Sequence, residues 1–313
     1  MKILLTTTSF QDTPGEHHEL LNSTGYHVDK LRGPVSEDVL LPIIENYDGV
    51  ICGDDEFSYD VIEKGKNNNL KVISKYGVGL DMIDLKAAKK FEIPVFNTPG
   101  VNQVTVAEHA LSLMLTYLKN IHFEYNITRK GGWKRLIGNE IYGKKVGILG
   151  LGKIGKELAK RLSVFGVEMY TYDLFFDETF INEYSIIKVN SIEDLVLKVD
   201  ILSIHMPLTN ISKHAINLDI IKKVCNPLII VNTSRALILD QQALIYGLDK
   251  NKINAYLTDV MDGEPMREDH PLKDYDNVLI TPHIGSRTHE SVVRQGSMAV
   301  SNLFTYLLEK YDN

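Results

Sequence analysis

The sequence predicts an α/β protein built on a doubly wound parallel sheet, and three observations predict it. Short apolar segments alternate with polar, helix-like stretches over the first hundred residues, and the alternation restarts near residue 145. A glycine-rich turn, G-x-G-x-x-G at residues 150–155, follows the first apolar segment of the second series. The last helix-like segment, about 287–310, has no partner strand after it. Such alternation favours parallel strands joined by helices, so we expect two parallel sheets, with the last helix completing the first.

Length and composition narrow the class of protein. A chain of 313 residues fits two domains better than a single core. The net charge of −7 argues against nucleic acid or an anionic membrane as the main partner. The N-terminus is typical of a first strand and not of a signal peptide, and no apolar run reaches the ~18 residues of a membrane span. We therefore expect a soluble globular protein.

The cysteines and histidines suggest neither a disulfide framework nor a metal site. Cys52 and Cys225 are the only cysteines and lie far apart, which favours a reducing, cytoplasmic location. His17 and His18 are adjacent in a polar stretch with no third ligand at metal spacing, so we expect a surface pair and no metal.

The elements of the first series are four buried parallel strands with helices between them. Continuous apolar runs are typical of strands covered on both faces. The predicted strands span residues 2–7, 48–53, 70–77 and 93–97. A largely apolar segment, 102–126, then predicts a long connecting helix that Asn102 caps. The loop 129–143, which follows it, carries the only Trp, Trp133.

The second series predicts six or seven strands in a doubly wound sheet. They are expected at 145–149, 167–172, 185–189, 200–204, 227–232, 254–259 and 277–280. In such a sheet, ligands bind just beyond the carboxyl ends of the strands. Residues that directly follow these strands are therefore the candidate site residues.

The glycine-rich turn predicts a dinucleotide site. Gly150 allows the tight turn, Gly152 lets a pyrophosphate approach the backbone, and Gly155 lets the following helix pack closely. The helix N-terminus offers N–H groups to the phosphates. The next strand ends in Asp173, whose carboxylate suits the ribose hydroxyls and would repel a 2′-phosphate, and the following LFFDE holds no cation. We expect NAD over NADP; the alternative is a structural glycine turn beside a surface Asp.

Three further polar groups follow strands of the second series. Arg235 comes after 227–232, Asp259 and Glu264 after or at the end of 254–259, and His283 after 277–280. Singly, each is more often a structural or surface residue. Together they offer a forked cation for a carboxylate, a group that titrates near neutrality, and an acid to orient its ring. That combination suits hydride transfer on a hydroxy acid, provided that Glu264 and His283 come into contact.

The ordered motifs of the chain resemble those of the D-isomer-specific 2-hydroxyacid dehydrogenases, in particular the D-3-phosphoglycerate dehydrogenase type. They are SKYGVGLDMIDL, NTPGVNQVTVAEHALSLML, GGW, GKKVGILGLGKIGKELAKRL, HMPLT, NTSRALILDQQAL, DVMDGEP and TPHIGSRT. The resemblance implies a Rossmann NAD-binding domain, residues 101–285, inserted into a second, smaller flavodoxin-like α/β domain. That second domain would comprise residues 1–100 and 286–313 and bind the substrate, which would react in the cleft between the domains.

The resemblance also implies roles for single residues in the chemistry. Arg235 would hold the substrate carboxylate and carbonyl, His283 would be the acid/base, and Glu264 would be its partner. The positions implied at the substrate carboxylate are Val78, Gly79 and Asn102. The reaction implied is the interconversion of a 2-oxo acid and a D-2-hydroxy acid.

On the cofactor side, the resemblance implies contacts along the whole of NAD. They run from the adenosine half and its ribose, through the pyrophosphate, to the nicotinamide. The implied positions are Gly150, Gly152, Lys153, Ile154, Gly155, Asp173, Pro207, Thr233 and Asp259. Members of the family are usually homodimers, and the segment around Trp133 is expected to reach toward the partner subunit.

One departure from the phosphoglycerate type bears on the substrate. Where that type commonly carries an Arg-containing V-R-S-x-T, this chain has ICGDDEFS, which brings Asp54, Asp55 and Glu56 to the expected cleft mouth and no Arg to grip a phosphate. Lys75, Lys134 or Arg135 could still supply a cation. D-3-phosphoglycerate dehydrogenase therefore stays an alternative. A second alternative, of another class, is an NAD(H)-sensing, corepressor-like interaction protein.

Overall fold

The computed structural model describes residues 1–311, which form two compact units, each built on one parallel sheet. The first unit comprises residues 1–102 and the chain from 286 onward, and the second comprises 103–285. The strands are β1 Lys2–Leu5, β2 His27–Lys30, β3 Gly49–Cys52, β4 Val72–Lys75, β5 Val95–Phe96, β6 Lys145–Leu149, β7 Glu168–Tyr172, β8 Ile187–Lys188, β9 Ile201–Ile204, β10 Leu228–Asn232, β11 Ile253–Thr258 and β12 Val278–Ile280.

Helices connect most of these strands. The α-helices are α1 Thr8–Asp12, α2 Glu16–Ser23, α3 Glu37–Leu40, α4 Tyr59–Lys66, α5 Leu85–Lys90, α6 Gln103–Leu118, α7 Ile121–Arg129, α8 Lys153–Leu162, α9 Glu178–Glu183, α10 Ile192–Lys198, α11 Leu218–Lys223, α12 Gln241–Asp249 and α13 His289–Tyr311. Short 3₁₀ turns lie at Ile44–Asn46, Ala236–Ile238 and Pro271–Asp274. Among the described residues, no helix is both long enough and apolar enough to cross a membrane.

The first unit has the strand order β2-β1-β3-β4-β5, with every pairing parallel, which is the flavodoxin-like order. Its strands β3 and β4 are buried along their whole length. The long helix α13 packs over these strands, and Ser74 Oγ donates a 2.7 Å hydrogen bond to the carbonyl of Ala299. The last helix therefore completes the first sheet, as the sequence predicted.

The second unit has the order β12-β11-β10-β9-β6-β7-β8, again with every pairing parallel. This is the doubly wound Rossmann order. Strands β6 to β8 are added toward one side of the sheet and β9 to β12 toward the other, so the switch point lies between β6 and β9. Apolar side chains of α6 and α8 cover one face, and those of α10, α11 and α12 cover the other. The predicted fold class is confirmed, with the carboxyl ends of seven strands along one edge.

Several elements differ from their predicted bounds, and one strand was not predicted. The predicted helix 102–126 is two helices, because Asn120 adopts a left-handed backbone with φ of 55° between α6 and α7. Strand β8 is two residues long where five were expected, and β2 lies at a sheet edge without an apolar run to reveal it. The expected surface pair is also wrong, since His17 is fully buried.

Both cysteines are free thiols, Cys52 buried and Cys225 exposed. Burial raises the pKa of the Cys52 thiol to about 12, so this side chain acts as a small apolar core residue at the end of β3. The cytoplasmic location inferred from the cysteine count stays a prediction.

Candidate active site

The candidate site of the second unit lies along the edge where its parallel strands end. The glycine turn follows β6, Asp173 follows β7, and Pro207 follows β9. Arg235, Glu264 and His283 follow β10, β11 and β12, which are three adjacent strands of the sheet. Because the pairings are all parallel, the sequence order of the strands places every one of these residues at the same edge.

The three glycines allow the turn to pack tightly and leave open space above it. Gly150 has φ of +96°, and a Cβ there would lie 2.8 Å from the backbone nitrogen of Met206. A Cβ on Gly155 would lie 2.2 Å from the Gly150 carbonyl oxygen, so helix and turn could not pack as they do. A Cβ on Gly152 would meet no atom within 4 Å, so open space lies above the turn at the start of α8.

Asp173 braces the same turn from the neighbouring strand. Its Oδ2 accepts a 2.6 Å hydrogen bond from the backbone N–H of Leu151, and Oδ1 accepts a 3.2 Å bond from that of Phe175. The carboxylate is therefore fixed at the end of β7, beside the glycine turn, where the ribose of a dinucleotide would lie.

Two further predicted cofactor residues end neighbouring strands. The hydroxyl oxygen of Thr233 is buried and has no hydrogen-bond partner among residues 1–311. A buried polar atom without a partner is costly unless a ligand supplies one. The carbonyl of Pro207 accepts a 2.7 Å bond from Ser212 Oγ, while Ile154 packs its side chain on the core. Together with the open space over Gly152, these features fit the predicted NAD.

Arg235 is fixed by its own backbone and by the end of β10. The side-chain amide of Asn232 donates a 3.0 Å bond to the Arg235 carbonyl, and Arg235 Nη1 donates a 2.8 Å bond to the Ser234 carbonyl. The residue has an extended backbone directly before the 3₁₀ turn Ala236–Ile238. The backbone that carries the Arg235 side chain is therefore held in place at the carboxyl end of β10.

His283 and Glu264 are in direct contact, as the predicted chemistry requires. His283 Nδ1 donates to Glu264 Oε2 over 2.7 Å, and the other carboxylate oxygen accepts a 2.9 Å bond from the N–H of Met261. Both side chains are little more than one-third exposed. His283 has φ of 52°, a left-handed conformation that non-glycine residues seldom adopt and that is often found at functional sites.

Asp259 secures the turn that carries His283, a structural part that the sequence did not reveal. Its Oδ1 accepts from the Thr281 hydroxyl at 2.6 Å and from the Ile284 N–H at 2.9 Å, and its Oδ2 accepts from the Gly285 N–H at 2.7 Å. His109 Nε2 lies 3.0 Å from Thr281 Oγ1. Burial opposes ionisation, yet His109, whose Nε2 lies 3.4 Å from Asp259 Oδ1, and these hydrogen bonds together hold the pKa of the Asp259 carboxyl below its usual value.

His109 and Thr281 were not among the predicted site residues. His109 is one of several polar residues in α6, directly after Glu108, and a polar residue on a largely apolar helix was the only signal that could have identified it. Such a signal does not name the partner. The predicted contact of Asp259 with the nicotinamide stays a prediction.

The predicted substrate residues of the first unit belong to loops at the carboxyl edge of its own sheet. Val78 and Gly79 follow β4, and Asn97 Nδ2 donates a 2.8 Å bond to the Val78 carbonyl. The N–H of Gly77 donates to Thr98 Oγ1 over 2.9 Å. The loop after β4 is therefore tied to the segment after β5. Asn102 is the last residue of the unit before α6.

Of the three acidic residues expected at the cleft mouth, Asp55 is not at the surface. It is fully buried, and its carboxylate accepts hydrogen bonds from the Thr6 hydroxyl and from the N–H groups of Val35 and Gly53, the latter two at 2.7 and 2.8 Å. Burial raises the pKa of the Asp55 carboxyl, while these donors oppose the rise. Asp55 thus ties three loops together, and only Asp54 and Glu56 are exposed.

Comparison with known proteins identifies a family to which the chain is similar. Residues 111–285 match the family model described as D-isomer specific 2-hydroxyacid dehydrogenase, NAD binding domain. A hydroxypyruvate reductase of Thermotoga maritima is 37% identical over 294 residues, which are 92% of each chain. A D-3-phosphoglycerate dehydrogenase of Methanocaldococcus jannaschii is 34% identical over 97% of this chain and 57% of that relative.

Solved structures show the same two-unit architecture. The apo-structure of D-lactate dehydrogenase from Escherichia coli superposes with a TM-score of 0.86 at 29% identity, covering 99% of this chain and 97% of the other. Together with the match to the NAD-binding family model, this confirms the family resemblance drawn from the sequence and NAD as the cofactor.

Proposed function

The chain belongs to the D-isomer-specific 2-hydroxyacid dehydrogenases and is an NAD-dependent enzyme; on that premise we propose that it interconverts a 2-oxo acid and a D-2-hydroxy acid. The observation that carries the proposal is the 2.7 Å hydrogen bond between His283 Nδ1 and Glu264 Oε2. It is an acid/base pair at the strand edge where the cofactor and Arg235 also belong.

In the reducing direction, the chemistry that NADH would supply when bound at the glycine turn is the hydride for the carbonyl carbon of the oxo acid. Arg235 orients the acid, because its planar guanidinium bonds the carboxylate and the carbonyl oxygen together. His283, protonated and with Nδ1 committed to Glu264, donates a proton from Nε2 to the oxygen that becomes the hydroxyl. Glu264 fixes the ring orientation and stabilises the imidazolium. In the oxidising direction the same nitrogen takes the proton back.

We assign the remaining contacts of the substrate and cofactor to predicted residues. Val78, Gly79 and Asn102 of the first unit would bind the substrate carboxylate, supported by the fixed loop after β4. The residues assigned to NAD are Gly150, Gly152, Lys153, Ile154, Gly155, Asp173, Pro207, Thr233 and Asp259. The open space over Gly152 and the unpaired Thr233 hydroxyl support this assignment among the described residues.

The proposal is tested by the decay of NADH absorbance with glyoxylate, hydroxypyruvate, 2-oxoglutarate and 3-phosphohydroxypyruvate. We expect turnover of at least one oxo acid to the D-isomer. His283→Ala should lower turnover about 10²–10⁴-fold and leave NADH binding nearly intact, because general acid catalysis contributes about that much.

Two results would contradict the assignment. Unchanged turnover in His283→Ala would remove this residue from the chemistry. Tight NADH binding without turnover of any oxo acid in the panel would instead favour an NAD(H)-sensing interaction protein. Preference for 3-phosphohydroxypyruvate would identify the alternative activity, that of a D-3-phosphoglycerate dehydrogenase.

We also propose that the protein is a homodimer that pairs through α7 and the following loop. Helix α7 has no buried residue, although it contains Ile121 and Tyr125, each more than half exposed. The loop that follows lies along this helix, since Asn120 Nδ2 donates a 3.1 Å bond to the Ile137 carbonyl. In that loop Trp133 is 78% and Ile137 is 96% exposed. Exposed apolar side chains on one helix and on the loop that lies along it are typical of a protein interface.

A further inference from the structure

A buried lysine at the end of β4 is neutralised by a neighbouring aspartate. The Lys75 side chain is only 4% exposed, and its ammonium donates to Asp54 Oδ1 at 2.7 Å and to the Gly53 carbonyl at 2.6 Å. Asp54 itself is 64% exposed. The sequence left Lys75 as a possible phosphate ligand, but in the structure its charge already has a carboxylate partner.

The Lys75–Asp54 pair lies beside the loop assigned to the substrate. Lys75 ends β4, two residues before Gly77, and a Cβ on Gly77 would lie 3.6 Å from Lys75 Nζ. Asp54 follows β3, the strand adjacent to β4. Buried Asp55 accepts the Gly53 N–H, so the turn that presents Asp54 is rigid. The pair is thus a preorganised part of the edge that carries Val78 and Gly79.

We propose that the Lys75–Asp54 pair selects the side group of the substrate, favouring a small uncharged group that bears a hydroxyl over a phosphorylated one. This inference rests on the proposed function. An ammonium has three donors, and the carbonyl and carboxylate account for two. A substrate hydroxyl can accept from the third and donate to Asp54. A phosphate instead meets a lysine whose charge is already cancelled by Asp54, so the pair supplies no net positive charge to balance the phosphate.

The test measures binding and does not depend on turnover. We would titrate the NADH-loaded enzyme, which cannot oxidise a hydroxy acid, with D-glycerate and with D-3-phosphoglycerate by calorimetry, at low ionic strength. The wild-type protein should bind the unphosphorylated acid more tightly. Asp54→Asn leaves the Lys75 ammonium without its carboxylate, so the affinity ratio should move about tenfold toward the phosphorylated acid, as the removal of one close charge predicts.

Two further variants identify the group responsible. Glu56→Gln removes the same charge two residues away, from a carboxylate that accepts the Glu37 N–H at 3.1 Å, and should leave the ratio unchanged. Asp54→Asn combined with Lys75→Gln should lose the gain, because the released ammonium is then absent.

Each outcome decides the matter. Wild-type preference for the phosphorylated acid, an unchanged ratio in Asp54→Asn, or an equal shift in Glu56→Gln would overturn the selection by Lys75–Asp54 and leave the proposed function standing. Failure of the wild-type protein to bind either acid would overturn both proposals. A fold-wide effect of the substitution is recognised by a change in NAD⁺ affinity, which should stay constant in all variants.

Discussion

His17 is a polar residue that serves as part of the core. Its Nε2 donates to the Phe10 carbonyl over 3.1 Å, and its ring packs edge-on against that of Phe10. A Cβ on Gly296 would lie 2.8 Å from the ring, so a glycine in α13 is needed for the helix to pass this close. Burial lowers the pKa of His17, because the charged ring would lose its hydration.

The buried ring should make the first unit sensitive to mild acid. A histidine with a lowered pKa in the folded protein takes up its proton more readily in the unfolded chain. Its contribution to stability is therefore complete above the unfolded value, about 6.5, and is lost as the pH falls below it. Between pH 7.5 and 5.5 the free energy of unfolding should fall by no more than about 1.4 kcal/mol through this group.

Urea unfolding at both pH values measures this loss. His17→Gln should reduce the difference between the two pH values, whereas His18→Gln, which alters the adjacent ring, should retain it. A difference of the same size in His17→Gln and in the wild-type protein would show that another group is responsible.

Among the elements, the turn 281–285 determines how His283 is presented. The left-handed residue 283 is kept in place because the groups on either side of it bond to Asp259. Thr281 is the link to α6, since its hydroxyl donates to Asp259 and accepts from His109. The hydrogen bonds of the neighbouring residues thus hold His283 in its unfavourable backbone conformation.

Removal of the Thr281 hydroxyl should therefore affect turnover more than binding. Thr281→Val keeps the shape but breaks both bonds, and a small displacement of the acid/base group can cost an order of magnitude or more in rate. We expect kcat to fall about tenfold with a smaller change in KM. Thr281→Ser should restore it, because the hydroxyl returns. Equal rates in Thr281→Val and wild type would contradict this positioning role.

Sequence patterns located the elements that contain a continuous run of apolar residues, such as β3, β6 and β10. They failed where geometry at one residue decides the outcome. The apolar pattern runs through Asn120, whose left-handed backbone nevertheless separates α6 from α7. The predicted strand order placed His283 and Glu264 at one edge of the sheet, and the family resemblance implied that they are partners, but only the structure shows their contact. The partners of Asp55 and Asp259 were not predictable, since most of them are backbone N–H groups of turns whose conformations a residue pattern does not encode.

For the whole molecule, the exposed surface of α7 and its following loop predicts the assembly. Ile137→Asp places a charge in the proposed interface, where a central apolar contact is worth about 2 kcal/mol, or roughly a thirtyfold change in the dimer dissociation constant. Sedimentation should show twice the chain mass of 35.4 kDa for the wild-type protein and a shift toward monomer for the variant.

A control on another surface distinguishes this interface from a general effect of charge. Val39 is an exposed apolar residue of the first unit, 46% accessible, and Val39→Asp should leave the dimer intact. A wild-type protein that sediments as a monomer at micromolar concentration would refute the proposed assembly.

The way in which α13 completes the first sheet has a consequence for synthesis on the ribosome. The strand residues Ile3, Leu5, Ile51 and Val72 share an apolar cluster with Leu303 of that helix. They leave the exit tunnel early, whereas their cover is translated only after residues 103–285. The second unit can fold during that interval, while the first sheet, made from residues 1–102, still exposes the apolar face that α13 will cover. Chaperone dependence should accordingly be concentrated in the part of the protein that is made first and finished last.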